Sequence, residues 1–344
     1  MNGAHGVDLF FVISGFVIVW VASDARQGWR GALDFLFARI ARIYPLWWLF
    51  AAAIAMMFWI AFGTPWNPAR LAAHGMDGAT HLIHSFLLWP QAHHPVLGVG
   101  WTLVHEMYFY AAFAVLILIL PPERRQIGIL LWACLVILGA SMHLTAEFAS
   151  TFIQLVFCPM TLQFIVGAVV AYVIKSGQRR FVRASILLGV LSWIAAFFAM
   201  DADALMVFPS WLSTDGAPFS SLVWQRTLFF GLPSALLVYG LVAKELNGGF
   251  GKRIPNPLVT IGDWSYALYL CHVPVISVVG QLTYRPFGAD QVWSVGAYLI
   301  LATAATFAVA ALTYHLFERP IIAFFKRHRR QTAGKRDLSL SAPV

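Results

Sequence analysis

Apolar residues in this chain gather in long unbroken runs, with none of the alternation of a half-buried strand and little of the every-third-or-fourth rhythm of a surface helix. Nine such runs stand out, at approximately residues 8–22, 43–63, 101–120, 127–144, 155–175, 184–200, 227–243, 264–281 and 293–317. A bilayer core of about 30 Å takes about 20 apolar residues of helix. Only helices or closed barrels satisfy every backbone group inside it. The pattern therefore predicts an all-α, polytopic membrane bundle of about nine transmembrane helices. A tenth run, His81 to Trp89, is short and carries His81 and His84, which predicts a re-entrant or interfacial piece.

Composition agrees with the pattern: 60% of the 344 residues are hydrophobic and only 11% are charged, with a mean hydropathy of +0.74. Lys and Arg then orient the bundle, because short cytoplasmic loops retain them. Taking alternate loops, one side collects 20 of the 23 basic residues, leaving Arg70, Arg226 and Arg285 for the other. The rich side is cytoplasmic, which puts the amino terminus outside and the basic carboxyl terminus inside. The net charge of +8 is then a matter of topology, and nucleic-acid binding is not needed to explain it. The amino-terminal run carries Asp8 where a signal peptide would carry a basic region, so it reads as a retained helix. Residues 1–325 form one transmembrane domain on this reading, and 326–344 a basic, disordered cytoplasmic tail.

Against this apolar background a few polar groups need a reason. Glu106 follows His105 inside the third run, five residues past Trp101, about 7–8 Å along a helix from the outer interface. An ionisable group at membrane depth costs a few kcal/mol and often marks a chemical site or path; a locking pair with a neighbouring helix is the other reading. His105 points about 100° away from it on a helix. His272 lies nine residues beyond Asp263, about 13 Å into its span, as a base or as an interhelical hydrogen-bonder. Arg39 and Arg42 share a helix face at the inner mouth of the second span. They are either anchors that snorkel to lipid phosphates or a fork for an anionic cosubstrate such as coenzyme A.

Other features carry less. Cys134, Cys158 and Cys271 all lie in apolar runs without CxxC spacing. His5, His74, His81, His84, His93 and His94 crowd the outer side but match no tight ligand pattern, so no metal site is expected. The loop GGFGKR at Gly248 lacks P-loop spacing.

Five segments in order resemble the membrane-bound acyltransferase family 3, especially its exopolysaccharide and O-antigen members. They are GVDLFFVISGF from Gly6, FARIARIYPLWW from Phe37, GWTLVHEMYFY from Gly100, GDWSYALYLCHVP from Gly262 and HLFERP from His315. The resemblance implies transfer of an acyl group, typically acetyl, from cytoplasmic acyl-CoA to a hydroxyl of a glycan or lipid-linked sugar, in a bacterial inner membrane. It assigns donor use to Arg39 and Arg42, and maps the family's glutamate onto Glu106 and its motif histidine onto His272.

The same family opens with a further helix bearing a histidine before the GVDLFF segment, making ten. The chain begins after that point, which fits the nine spans and the outward terminus read from charge. With that histidine absent, His272, His105 or His5 would have to draw the acceptor proton, with Glu106 as an orienter. Ser265, Tyr266, Tyr108 and Trp101 are candidate oxyanion donors. A polar channel joining the arginine pair to Glu106 is expected. The competing readings are a transporter or flippase-like carrier, without visible inverted repeats, and a catalytically inactive truncated homologue.

Overall fold

The computed structural model of the chain describes residues 6–72, 76–142, 151–201, 221–249, 256–287, 292–325 and 327; His5, His74 and nearly all of the expected tail lie outside the described residues. Every regular element among them is helical: α1 (Gly6–Ala22), α2 (Trp29–Phe62), α3 (Pro68–Ala72), α4 (Gly78–Leu87), α5 (Gly100–Ile119), α6 (Arg125–Ser141), α7 (Thr151–Val156), α8 (Thr161–Lys175), α9 (Val182–Asp201), α10 (Ser221–Arg226), α11 (Leu232–Leu246), α12 (Asn256–Asp263), α13 (Ser265–Phe287) and α14 (Val292–Thr313). A π-helical turn, Thr227–Gly231, joins α10 to α11, and another, Tyr314–Glu318, extends α14.

Among the described residues eight helices are long and apolar enough to cross a membrane, and α1 is a shorter apolar helix. Together they account for the nine expected runs. The 17 residues of α1 span only ~25 Å, a little short of the hydrocarbon core. The second span starts far earlier than its apolar run: α2 has 34 residues and begins at Trp29, so Arg39 and Arg42 sit within a continuous helix. The short run at His81 forms the ten-residue α4, too short to cross a bilayer.

The chain divides into two compact units, the first comprising Met1–Leu36, Pro90–Ala92 and Thr102–Arg253, the second Phe37–Trp89, His93–Trp101 and Ile254–Val344.

In the first unit, α1 and α8 pack backbone to backbone. A Cβ on Gly15 would lie 1.9 Å from the Phe164 carbonyl oxygen, and one on Gly167 would lie 2.0 Å from that of Val12. Apolar surface gives helices no preference for each other over lipid tails, so close approach through glycine supplies the packing. Polar ties hold both ends. Asp8, fully buried, accepts from Gln163 Nε2 at 2.8 Å and pairs with Arg226 at 3.1 Å. At the opposite ends Lys175 bonds Asp24 at 2.7 Å. The two helices therefore run in the same direction. The Lys175 bond holds the exposed Asp24 carboxyl below its ordinary value. Between the helices the rings of Phe11, Phe164 and Phe109 stack in series at 4.5 and 4.6 Å, and Trp132 of α6 continues the column at 5.0 Å.

Arg125, one of the 20 basic residues assigned to the cytoplasmic side, is fully buried. Its Nη1 donates to the Ser23 carbonyl at 2.6 Å, just beyond the end of α1. A cation there satisfies a carbonyl with no helical partner and complements the helix dipole.

In the second unit the IYPLWW stretch of α2 has a defined task. Tyr44, Trp47 and Trp48 fall on one face and donate to three consecutive carbonyls, those of Leu87 (2.7 Å), Ser85 (3.1 Å) and Phe86 (3.0 Å). These lie in the last turn of α4, where carbonyls are short of helical donors; that of Ser85 also accepts from the Leu88 amide at 3.4 Å. At the other end of α4 the Asp77 carboxylate accepts from the Thr80 amide at 2.8 Å, a side-chain N-cap.

Replacing Gly167 by Val is expected to force α1 and α8 apart and destabilise the first unit by about 1–3 kcal/mol or more. Thermal unfolding of the purified protein in detergent or nanodiscs checks this; an unchanged midpoint would contradict the close backbone contact.

Candidate active site

The described residues place the candidate chemistry in both units, Glu106 and His105 in the first, Arg39, Arg42 and His272 in the second. Glu106 points into the first unit and is 7% exposed. Its Oε1 accepts from the hydroxyl of Tyr110, one turn on along α5, and more distantly from Ser14 Oγ of α1 at 3.4 Å. The Ser14 contact brings GVDLFFVISGF and GWTLVHEMYFY, two of the five segments, onto one carboxylate. His105 is half-buried, its ring 6.0 Å from that of Phe11 in α1, the helix whose Ser14 also reaches Glu106.

His272 lies in the interior of α13, half-buried, with Nδ1 2.7 Å from the Tyr269 carbonyl oxygen. A carbonyl oxygen can only accept, so Nδ1 carries a proton, which leaves Nε2 as the ring position that can exchange one. The preceding turns are pinned. Tyr269 donates to the Val99 carbonyl at 2.8 Å, and Tyr266 to the Ile43 carbonyl at 2.8 Å. Tyr266 and Tyr108 were candidate oxyanion donors; both hydroxyls are engaged with backbone carbonyls, Tyr108 with that of Val156 at 3.2 Å. Ser265 is exposed at the start of α13.

Arg39 and Arg42, three residues apart on α2, meet different surroundings. Arg39 is 8% exposed, whereas Arg42 is exposed and lines a cavity of about 510 Å³. Around it stand Asp263 at the end of α12, Glu318 and Arg319 at the end of the second π-helical turn, and the rings of Phe37, Tyr314 and Phe325. Three of the five segments, distant in sequence, thus converge within the second unit: FARIARIYPLWW, GDWSYALYLCHVP and HLFERP.

The profile of an acyltransferase domain matches residues 1–315. The chain belongs to acyltransferase family 3. It is 30% identical over 346 residues to the exopolysaccharide production protein ExoZ of Rhizobium meliloti (strain 1021), covering 96% of this chain and 93% of that protein. It is 25% identical over 349 residues to the acyltransferase MdmB of Streptomyces mycarofaciens, covering 95% and 83%. No solved structure matches. Membership of the family makes the chain a membrane-embedded acyltransferase, and the eight long apolar helices among the described residues agree with that setting.

Three residues in this architecture escaped sequence reasoning as site residues. Glu318 was seen only as part of the HLFERP pattern, and Arg319 as part of it and among the basic residues of the cytoplasmic side, although a carboxylate at the end of an apolar run was a signal of the same kind as Glu106. Asp8 was read as evidence against a signal peptide, although it too is a buried charge that demands a partner, found in Arg226.

Replacing Tyr110 by Phe removes a hydroxyl that donates to the buried Glu106 carboxyl and is expected to destabilise the protein by about 1–3 kcal/mol. Replacing Ser14 by Ala, whose contact is longer, should cost less. Comparison of the two thermal midpoints checks the ranking, and the reverse order would contradict it.

Proposed function

We propose that the protein is an O-acyltransferase that moves an acyl group, typically acetyl, from acyl-CoA to a hydroxyl of an exported polysaccharide or lipid-linked sugar. The membrane is the bacterial inner membrane, with the carboxyl terminus and the donor on the cytoplasmic side. Convergence of Arg42 with the GD and HLFERP segments on one cavity carries the donor side of this reading. The exopolysaccharide name of its 30% identical relative supports the acceptor side.

On this reading the diphosphate and phosphate of CoA are held at Arg42, with Arg39 behind it, because a guanidinium binds phosphate oxygens through paired N–H groups. The acceptor hydroxyl gives its proton to a neutral imidazole as its oxygen attacks the thioester carbonyl carbon. The carbon–sulfur bond then breaks and the CoA thiolate takes up the proton. His272 suits the base, since the Tyr269 carbonyl fixes Nδ1–H and leaves Nε2 to receive. His105 is the other described histidine in question. Glu106, held by Ser14 and Tyr110, is the orienter of the acceptor in this reading. A route for the acyl group between the two membrane faces is part of the proposal.

Release of free CoA thiol from acetyl-CoA by the reconstituted protein, with polysaccharide or lipid-linked sugar supplied, tests it. Replacing His272 by Ala should lower kcat by about 10²-fold or more and leave the donor KM near the parent value. Replacing Arg42 by Ala should raise the donor KM about tenfold or more. Unchanged kinetics in both variants, or no acyl-CoA binding by the parent protein, would refute the assignment.

A further inference from the structure

The cavity beside Arg42 has a lining that phosphate binding alone does not explain. Two guanidinium groups, Arg42 and Arg319, face it together with two carboxyl groups, Asp263 and Glu318, and three aromatic rings. A pocket built only for a polyanion would exclude carboxylates, since each repels phosphate. Glu318 is also 6% exposed, and its Oε2 is buried with no hydrogen-bond partner. An orphaned buried carboxyl oxygen costs free energy that a bound donor would recover. The turn that holds it is π-helical, a local widening often retained where a side chain must be aimed at a ligand.

These features suit one kind of ligand, joining phosphate to a flat ring and to groups that donate hydrogen bonds. We propose that this cavity binds the adenosine phosphate portion of acyl-CoA, with Arg42 and Arg319 on phosphate and Glu318 accepting from a ribose hydroxyl or the adenine amino group. The proposal rests on the acyl-CoA reading above and adds to it a binding arginine beyond the Arg39–Arg42 pair and a carboxyl that reads the nucleoside. Glu318 and Arg319 belong to the HLFERP segment, of which the matched family region, ending at residue 315, includes only the first residue. A volume of about 510 Å³ falls within the range of roughly 300–1,000 Å³ usual for small-ligand pockets. The aromatic walls Phe37, Tyr314 and Phe325 supply apolar faces against which a purine can lie.

The test compares two probes on the full chain in nanodiscs by titration calorimetry: adenosine 3′,5′-bisphosphate, which carries the nucleoside donors, and inorganic pyrophosphate, which does not. The parent protein is expected to prefer the bisphosphate. Glu318→Ala should reduce that preference about tenfold while pyrophosphate binds as well or better, because a negative charge has been removed. Arg319→Ala should weaken both probes about tenfold.

Glu318→Gln provides a second variant if the alanine protein does not fold, and should also lose preference, since an amide oxygen accepts more weakly than a carboxylate. An unchanged preference in a folded Glu318 variant overturns the proposal. So does failure of the bisphosphate to bind a parent protein that still binds acetyl-CoA, which leaves the acyltransfer reading standing. If phosphoethanolamine displaces a bound probe and the bisphosphate does not, the cavity belongs to a lipid headgroup and the proposal is again overturned. Failure of acetyl-CoA itself to bind would strike the acyltransfer reading first.

Discussion

A charge inside a bilayer must be matched or it will not stay there, and most of the architecture follows from how this chain meets that demand. Transfer of an ionised group into hydrocarbon costs several kcal/mol, and removal of its partner leaves the full penalty exposed. Asp8 is fully buried and is met by Arg226 and Gln163. Arg125 is buried and meets the carbonyl beyond the end of α1. Glu106 is met by hydroxyls from two helices. Each match ties together helices that apolar surface alone would leave indifferent to one another in lipid. Glu318 departs from the pattern, with one oxygen buried and unmatched at the edge of a cavity.

The backbone is subject to the same demand. Helix α4 ends without a continuing turn, which leaves its final carbonyls short of helical donors. Tyr44, Trp47 and Trp48 answer with three donors from one face of α2. The aromatic cluster beside the arginine pair is therefore more than interfacial decoration, since it fixes the end of a short helix in the unit that also contains the cavity. Glycine does the complementary work in the first unit, letting α1 and α8 approach closely enough that their polar ends can meet.

The number and approximate place of the apolar helices were legible in the sequence, because a run of apolar residues long enough to cross a bilayer has few other uses. The beginning of α2 was not: Arg30, Asp34, Arg39 and Arg42 interrupt the apolar run, yet none of them breaks a helix. The polar partners were also out of reach. Position along a helix gives depth and direction, so Glu106 and His105 could be separated, but it does not say that Ser14, some 92 residues away, shares the carboxylate. Nor does it reveal that Arg42 shares a cavity with Glu318 and Arg319 while Arg39 does not line it. The family resemblance supplied the chemistry, and the packing of the second unit shows which of its motifs converge.

The central claim is that this charge-matched bundle acylates an exported glycan with Glu106 at the reaction. Bound ester on the exported polysaccharide, measured by proton NMR after purification, tests it most directly in cells lacking the gene and complemented with the parent chain or with Glu106→Gln. The account predicts that ester is lost with the gene, restored by the parent chain and not restored by the variant when both are present in the membrane at equal levels. Ester content that is the same with and without the gene, or fully restored by the variant, would contradict it.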